Sequence, residues 1–210
     1  MATAKLAERL PVSPTNLWVT IRTVDLISYT VTSLKPVTRL EESAAGSGGL
    51  CGSTFLDRQF DSWLQHKFSD FGRWDDGYHA DALARWEAEI KRNFSGDTEK
   101  RFYLPARGLS DNSTLGIRGS KFAITGNQVK ALFEPVVSEV VGLVKSQIVE
   151  TKKNEKTVVA VLLAGGFGRN EYLRKRIQEA VGETVRVERI KDWYVTCIYL
   201  CGAKTNGTRR

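Results

Sequence analysis

The chain has 210 residues, of which 41% are hydrophobic and 26% charged, and its formal net charge is +7. These values are ordinary for a folded protein of one large or two small domains, and no internal repeat or low-complexity tract is visible. No apolar stretch reaches membrane-spanning or signal-peptide length, so no membrane partner is expected, and a cytoplasmic or nuclear location is predicted by default. The basic residues are scattered except in short runs such as TKKNEK, so a nucleic-acid partner is not expected.

The three cysteines, Cys51, Cys197 and Cys201, do not have the spacing of a disulfide framework. Reduced thiols are therefore expected. Cys197 and Cys201 could share a helix face, but no His or third Cys accompanies them, so no metal site is predicted there.

The first predicted elements are strands, which follow a leader over residues 1–16 that we expect to be disordered. The stretch LWVTIRTVDLISYTV is rich in β-branched and aromatic residues, and its apolar positions alternate from Asp25 to Val31. SLKP then turns the chain into VTRLEE, which predicts a pair of strands closed by a short loop. AAGSGGLCGS has four glycines in ten residues and predicts a tight loop with positive φ angles that leads into a helix.

Two amphipathic helices are predicted next. Apolar residues recur at helical spacing from Leu56 to Phe68 and again from Leu83 to Phe94, and DFGRWDDGYHAD separates the two runs. The segment from FYLPARGLS to GIRGSKFAIT predicts short strands and turns. Residues 56–124 are therefore expected to form a small subdomain inserted between two halves of a larger domain.

The strongest periodic signal is a long helix with an apolar stripe from Val129 to Ile148. Thr125 and Gln128 stand at its start with the spacing of a capping box. Pro135 predicts a bend, because proline removes one backbone hydrogen bond from a helix. The stripe itself indicates a core helix without chemistry.

The last third of the chain alternates strands and helices. KTVVAVLLAGG is a continuous apolar run, which predicts a strand covered on both faces, as in a parallel sheet. The helix NEYLRKRIQEAVG has Asn170 as its N-cap and Gly182 beyond its end. TVRVERI predicts a further strand, and DWYVTCIYLCGA predicts a last apolar element. This order indicates an α/β domain with a right-handed crossover.

The junction LLAGGFGRNEYL can be compared with three kinds of phosphate-binding site. A P-loop needs two glycines with four residues between them, followed by Lys and Ser/Thr, and this junction has neither. A dinucleotide fingerprint that starts at Gly166 needs a small residue where Glu171 stands. In the third kind of site, paired glycines let the backbone approach a nucleotide's sugar and phosphates, while Arg169 lies against the base.

LLAGGFGRNEYLRKRI resembles the adenosine-binding segment of the actin-like ATPase fold, in the version carried by the seventy-kilodalton heat-shock chaperones and their divergent, largely fungal relatives. TVDLISYTV, LKPVTRLEESAAGSGGLCGSTFLDRQF and WEAEIKRNFSG resemble further segments of the second half of that nucleotide-binding domain, in matching order. The resemblance implies an α/β, ribonuclease H-like second lobe over residues 17–204, with a mixed sheet, flanking helices and a small inserted α+β subdomain. Residues 205–210 would form a tail.

The resemblance also implies a set of nucleotide-binding residues and a cofactor, ATP or ADP with magnesium. These residues fall at the base and ribose (Gly165, Gly166, Arg169), at a clamp that closes over adenosine (Glu87, Lys91, Arg92) and at the second phosphate loop (Thr23). Glu87 is the acid nearest to the position of the clamp's carboxylate.

The phosphate side departs from the family's pattern, Asp-x-Gly-Gly-Gly-Thr. Thr20, Ile21 and Arg22 match the three glycines, and Trp18 matches the acidic position, although Trp can neither bind a metal nor orient water. The first lobe, with the first phosphate loop and a catalytic lysine, is expected to be missing. We therefore expect no catalytic residue, no metal ligand, weak or absent nucleotide binding, and no hydrolysis, as in a chaperone-related pseudo-ATPase.

Two alternatives to nucleotide binding stay open. The chain could be a protein-interaction module, which would recruit a protein partner through the sheet face left exposed by the missing lobe. It could also be a decayed gene fragment without a stable product.

Overall fold

The computed structural model describes residues 15–21, 24–33, 36, 39–69, 71 and 74–189. Its contacts divide the chain into two compact units. The first unit comprises Met1–Leu50, Val140–Arg169 and Arg174–Arg210, and the second comprises Cys51–Glu139 and Asn170–Leu173. The predicted insertion, residues 56–124, lies within the second unit. None of the described helices has the length and apolar character needed to cross a membrane.

The described residues form both strands and helices. The strands are β1 (Thr15–Ile21), β2 (Val24–Ser33), β3 (Arg39–Gly49), β4 (Arg101–Pro105), β5 (Ile117–Arg118), β6 (Lys121–Thr125), β7 (Val158–Leu163) and β8 (Arg186–Arg189). The longer helices are α1 (Ser53–Phe68), α2 (Asp76–Arg85), α3 (Gly126–Lys153) and α4 (Glu171–Val181). This mixture confirms the predicted α/β class.

The first unit contains a mixed five-stranded sheet in the order β3-β2-β1-β7-β8. Strands β1, β2 and β3 are antiparallel neighbours, whereas β7 runs parallel to both β1 and β8. Every residue of β7 except Val159 is buried, as the continuous apolar run KTVVAVLLAGG predicted. The predicted strand in TVRVERI is confirmed as β8.

The predicted pair of strands is instead a three-stranded meander, because β1 ends at Ile21 and β2 begins antiparallel to it at Val24. β1 also starts at Thr15, so the last two residues of the predicted leader belong to a strand. Residues 1–14 lie outside the described part of the chain. The tail 205–210, the predicted element DWYVTCIYLCGA, and Cys197 and Cys201 within it also lie outside.

The glycine-rich segment AAGSGG is strand, and the predicted tight loop is wrong. β3 continues to Gly49, which pairs with Val24, and none of the described glycines in this segment has a positive φ. A Cβ at Gly48 would lie 2.7 Å from the carbonyl oxygen of Val24. Glycine is therefore needed here for the close approach of two strands and not for a turn.

A buried polar layer joins the sheet of the first unit to the C-terminal half of α3. The amide nitrogen of Gln147 donates to the Ser28 hydroxyl at 3.1 Å, and the Thr151 hydroxyl donates to the same oxygen at 2.9 Å. The Thr30 hydroxyl lies 2.9 Å from that of Thr15. Because these buried groups are hydrogen-bonded to one another, the layer fixes the position of the helix on the sheet.

Both predicted helix starts are confirmed. The side-chain oxygen of Gln128 accepts from the backbone N–H of Thr125 at 2.8 Å, and the Gln128 N–H donates to the Thr125 hydroxyl at 3.3 Å. α3 then continues through Pro135 to Lys153. At α4, the Leu173 N–H donates to Asn170 Oδ1 at 3.0 Å.

The second unit combines helices with a three-stranded antiparallel sheet in the order β4-β6-β5, which confirms the short strands predicted for this region. Its core is aromatic. Phe60 stacks on Trp86 with ring centroids 4.3 Å apart, and Phe94 packs on Phe133 at 5.0 Å. Phe122 brings the sheet into this core through an edge contact with Phe68 at 5.1 Å.

Candidate functional site

A glycine turn follows the central strand of the first unit. Beyond β7 the backbone is extended at Ala164 and then forms a short helical turn over Gly165–Gly168. Gly165 has a φ of +81°, a left-handed conformation that disfavours any side chain. Among the described residues, a Cβ at Gly166 would meet no atom within 4 Å outside its own turn. The turn therefore presents open backbone at Gly166.

The glycine turn lies at the edge of the sheet that is formed by the carboxyl ends of the parallel strands β1, β7 and β8. Trp18 pairs with Leu162 and Val19 with Leu163, and the turn contacts β1. The predicted adenosine segment and the end of the predicted phosphate segment therefore share one edge of the first unit. Thr23 and Arg22 themselves lie outside the described residues.

This edge has the topology of a binding crevice. After β1 the chain continues into β2, and after β7 it continues to β8. Strands β2 and β8 lie on opposite sides of the β1–β7 pair. In open α/β sheets, ligands bind outside the carboxyl ends of strands at such a switch point. The glycine turn occupies that position.

Two exposed arginines accompany the glycine turn. The N–H of Arg169 donates to the carbonyl of Gly166 at 3.3 Å, so this residue closes the turn. Arg189, at the end of β8, donates from Nη1 to the carbonyl of Arg169 at 3.2 Å. The sequence predicted Arg169 but not Arg189, although its place at the end of a predicted strand was the available signal. Both residues are basic and would add positive charge at this edge, which suits an anionic ligand.

The predicted clamp residues lie in the second unit, where α2 continues into a π-helical turn, Trp86–Ile90, and a short helical end, Lys91–Asn93. Lys91 Nζ lies 3.5 Å from Glu87 Oε1, so the structure brings these two residues together. The Arg92 side chain is exposed. π-Helical turns of this kind are frequent at functional sites.

Lys91 has a closer partner that the sequence did not reveal. Its ammonium group donates to both carboxylate oxygens of Asp57, at 2.7 and 2.9 Å, and only 11% of its side chain is exposed. Trp86 Nε1 donates to the same carboxylate at 3.0 Å. A ligand that recruits the Lys91 ammonium must therefore compete with Asp57. No local pattern indicates this pairing, since Asp57 lies on α1.

Asn170, which directly follows Arg169 in the chain, is buried in the second unit. Besides capping α4, its amide nitrogen donates to the carbonyls of Lys91 at 2.8 Å and Phe94 at 3.3 Å. Only 3% of Asn170 is exposed. Its polar atoms are thus used within the fold, where Asn170 supports the end of the helix that carries Lys91.

Cys51 is the described cysteine, and it is buried in the second unit. Burial and, to a smaller extent, the carboxylate of Glu139 raise the pKa of its thiol from 9.0 to about 11. The thiol is therefore protonated near neutral pH and is a poor nucleophile. Within the described residues, no group of three or more His, Cys, Asp or Glu side chains could hold a metal ion.

The chain matches no protein-family model, and a search of curated proteins finds no match. The predicted site residues belong to different units, with Gly165, Gly166 and Arg169 in the first and the clamp residues in the second.

Proposed function

We propose that the chain is a second lobe of the actin-like ATPase fold, of the seventy-kilodalton heat-shock type, that binds the adenosine side of ATP or ADP without hydrolysing it. The glycine turn at the carboxyl end of β7 carries this proposal, because Gly166 leaves its backbone open at a switch point of the sheet. The mixed sheet, the flanking helices and the α+β segment between β3 and α3 support the same assignment.

The proposed binding mode uses the turn and the two arginines beside it. Because Gly166 has no side chain, the ribose and phosphates can approach its backbone closely, and a larger residue at this position would prevent that approach. The Arg169 guanidinium stacks on adenine, and Arg189 adds positive charge for the phosphates. We expect weak affinity, because the phosphate side of the proposed site departs from the family's glycine pattern.

The absence of hydrolysis follows from the chemistry of phosphoryl transfer, which depends on positioning and electrostatic stabilisation. At the β1–β2 junction, Thr20, Ile21 and Arg22 replace three glycines, and Trp18 replaces an acid. None of these side chains is a carboxylate, which in the family's loop holds magnesium-bound water. The chain would therefore act as a chaperone-related pseudo-ATPase, and a cytoplasmic location belongs to the same proposal.

Calorimetric titration with ADP and ATP, with and without magnesium, tests the proposal. We expect binding that is largely independent of magnesium and that Arg169→Ala weakens about 2- to 30-fold, the range of a cation–π contact. Arg85→Ala is the matched control, because Arg85, on α2, is an exposed arginine that forms an ion pair with Glu89. Phosphate release from ATP in the presence of the protein should equal that of ATP in buffer alone.

Two results would contradict the proposal. ATP hydrolysis above background that disappears in Arg169→Ala would contradict the loss of turnover. A folded protein that gives no binding heat with either nucleotide would contradict nucleotide binding and favour the protein-interaction module.

A further inference from the structure

The three-stranded sheet of the second unit has one buried face and one solvated face. Phe102, Leu104, Phe122 and Ile124 point into the core and are at most 5% exposed. On the opposite face the exposed side chains are those of Arg101 and Tyr103 on β4, Arg118 on β5 and Lys121 on β6. We call these four residues the basic–aromatic face.

Among the described residues, the cations of the basic–aromatic face have no acidic partner. Within the described part of the chain, Arg101, Arg118 and Lys121 form no ion pair with a carboxylate. Arg85 on α2, by contrast, is paired with Glu89 at 2.6 Å. The face therefore keeps a positive potential that an anionic ligand would compensate.

A tight hairpin holds two of these cations directly opposite each other. Arg118 and Lys121 are cross-strand partners, and the two residues between them, Gly119 and Ser120, have φ angles of +56° and +59°. Both positive values are typical of a two-residue type I′ turn. The Asp111 carboxylate accepts the Gly119 N–H at 2.8 Å and so braces the turn. Like charges placed opposite each other repel, and a bound anion would relieve that repulsion.

Tyr103 lies between the cations and exposes half of its surface. The residue is 50% exposed, and its cross-strand neighbour is the small Ala123. Lys121 Nζ lies 6.0 Å from the ring centroid. Along β4, Arg101 is roughly 7 Å from Tyr103 on one side. On the other side, Pro105, the residue that pairs with Lys121, is also roughly 7 Å from Tyr103. An aromatic ring flanked by cations can stack a base and hold phosphates on both sides of it.

We propose that the basic–aromatic face binds single-stranded nucleic acid, with one base stacked on Tyr103 and the neighbouring phosphates held by Arg101 and by the Arg118–Lys121 pair. An acidic peptide would use the cations but not the exposed ring. The linear sequence shows no interleaved basic and aromatic pattern, because three different strands supply the four residues. The proposal is independent of nucleotide binding at the glycine turn, which lies in the other unit.

Fluorescence anisotropy with a fluorescein-labelled oligouridylate and the full chain tests this inference. Tyr103→Ala should weaken binding about 5- to 150-fold, whereas Tyr103→Phe, which keeps the ring, should change it less than about twofold. Arg118→Gln and Lys121→Gln should each lower the slope of log affinity against log salt by about 0.7 for every phosphate that the replaced cation neutralises. The control Arg85→Gln, at the paired cation, should leave binding unchanged.

The competitor is an oligoglutamate peptide of equal charge. We expect it to displace the oligonucleotide poorly. The proposal is overturned if the oligonucleotide does not bind, if folded Tyr103→Ala binds it as tightly as the wild type, or if the peptide competes equally well. The last result would assign the face to acidic peptides.

Discussion

Removal of the Asp57 carboxylate should destabilise the second unit more than any other change at the clamp. In Asp57→Ala, Lys91 loses acceptors at 2.7 and 2.9 Å, and the buried Trp86 loses its acceptor at 3.0 Å. Hydrogen bonds to charged groups contribute about 1.5–3 kcal/mol each. The Asp57 side chain is 34% exposed, so water compensates part of this loss. We therefore expect the free energy of unfolding to fall by roughly 2–3 kcal/mol.

Three further variants separate the contributions to this effect. Asp57→Asn keeps an acceptor for Trp86 but removes the charge, and should cost roughly half as much as Asp57→Ala. Lys91→Met keeps the apolar stem and leaves a carboxylate that water can reach, so its effect should also be smaller. Glu87→Ala is the matched control: Glu87 is 3.5 Å from Lys91 and 64% exposed, so less than about 0.5 kcal/mol is expected.

Urea unfolding followed by tryptophan fluorescence measures these differences, since Trp63, Trp74 and Trp86 all lie in the second unit. The two units can unfold in separate transitions, so each transition should be fitted individually. The double-mutant cycle of Asp57→Ala and Lys91→Met should give a coupling of about 1 kcal/mol or more. If Asp57→Ala costs no more than Glu87→Ala, the pair contributes nothing to stability and the reasoning fails.

Further predictions concern the glycine turn, the buried amide and the buried thiol. Gly165→Ala should cost about 1–2 kcal/mol in urea unfolding because of its φ of +81°, whereas Gly166→Ala should be neutral or slightly stabilising; equal costs would refute the distinction. Asn170→Ala should lower the melting temperature by several degrees, equivalent to about 2–3 kcal/mol, because the buried side chain loses three hydrogen bonds; an unchanged melting temperature would contradict this. Folding raises the pKa of Cys51 from 9.0 to about 11, so its contribution to stability is complete below pH 9 and is lost as the pH rises towards 11. Urea midpoints across this range should fall more steeply for the wild type than for Cys51→Ala, and parallel curves would argue against the shift.

The elements that the sequence predicted correctly depend on neighbouring residues. The Thr125–Gln128 capping box and the Asn170 cap are each complete within four residues, so their chemistry can be recognised in the linear chain. The burial of β7 follows from its uninterrupted apolar run. The position of Gly165 likewise follows from a local junction of strand and helix.

The features that the sequence did not predict depend on partners far along the chain. Gln147 bonds to Ser28 across 119 positions, and Lys91 bonds to Asp57 across 34. The glycines around Gly48 predict a turn, because glycine is frequent in turns. In the structure, glycine is needed at position 48 because the carbonyl of Val24 on the neighbouring strand leaves no room for a Cβ. Residue type alone cannot distinguish these cases, because the deciding contact lies on another strand or helix.

The same distinction shows which glycine of the candidate site bears on function. Gly165 is required by its own backbone angle, so its presence would be expected whether or not a ligand binds. Gly166 has no positive φ, and within the described part of the chain no atom outside its own turn lies within 4 Å of the position that a Cβ would occupy, so these residues give no structural reason for glycine there. A nucleotide that approaches the backbone at Gly166 would provide a functional reason for glycine at this position. Gly166→Ala should therefore leave stability unchanged and weaken ADP binding in calorimetry, and unchanged affinity would remove the nucleotide from the glycine turn.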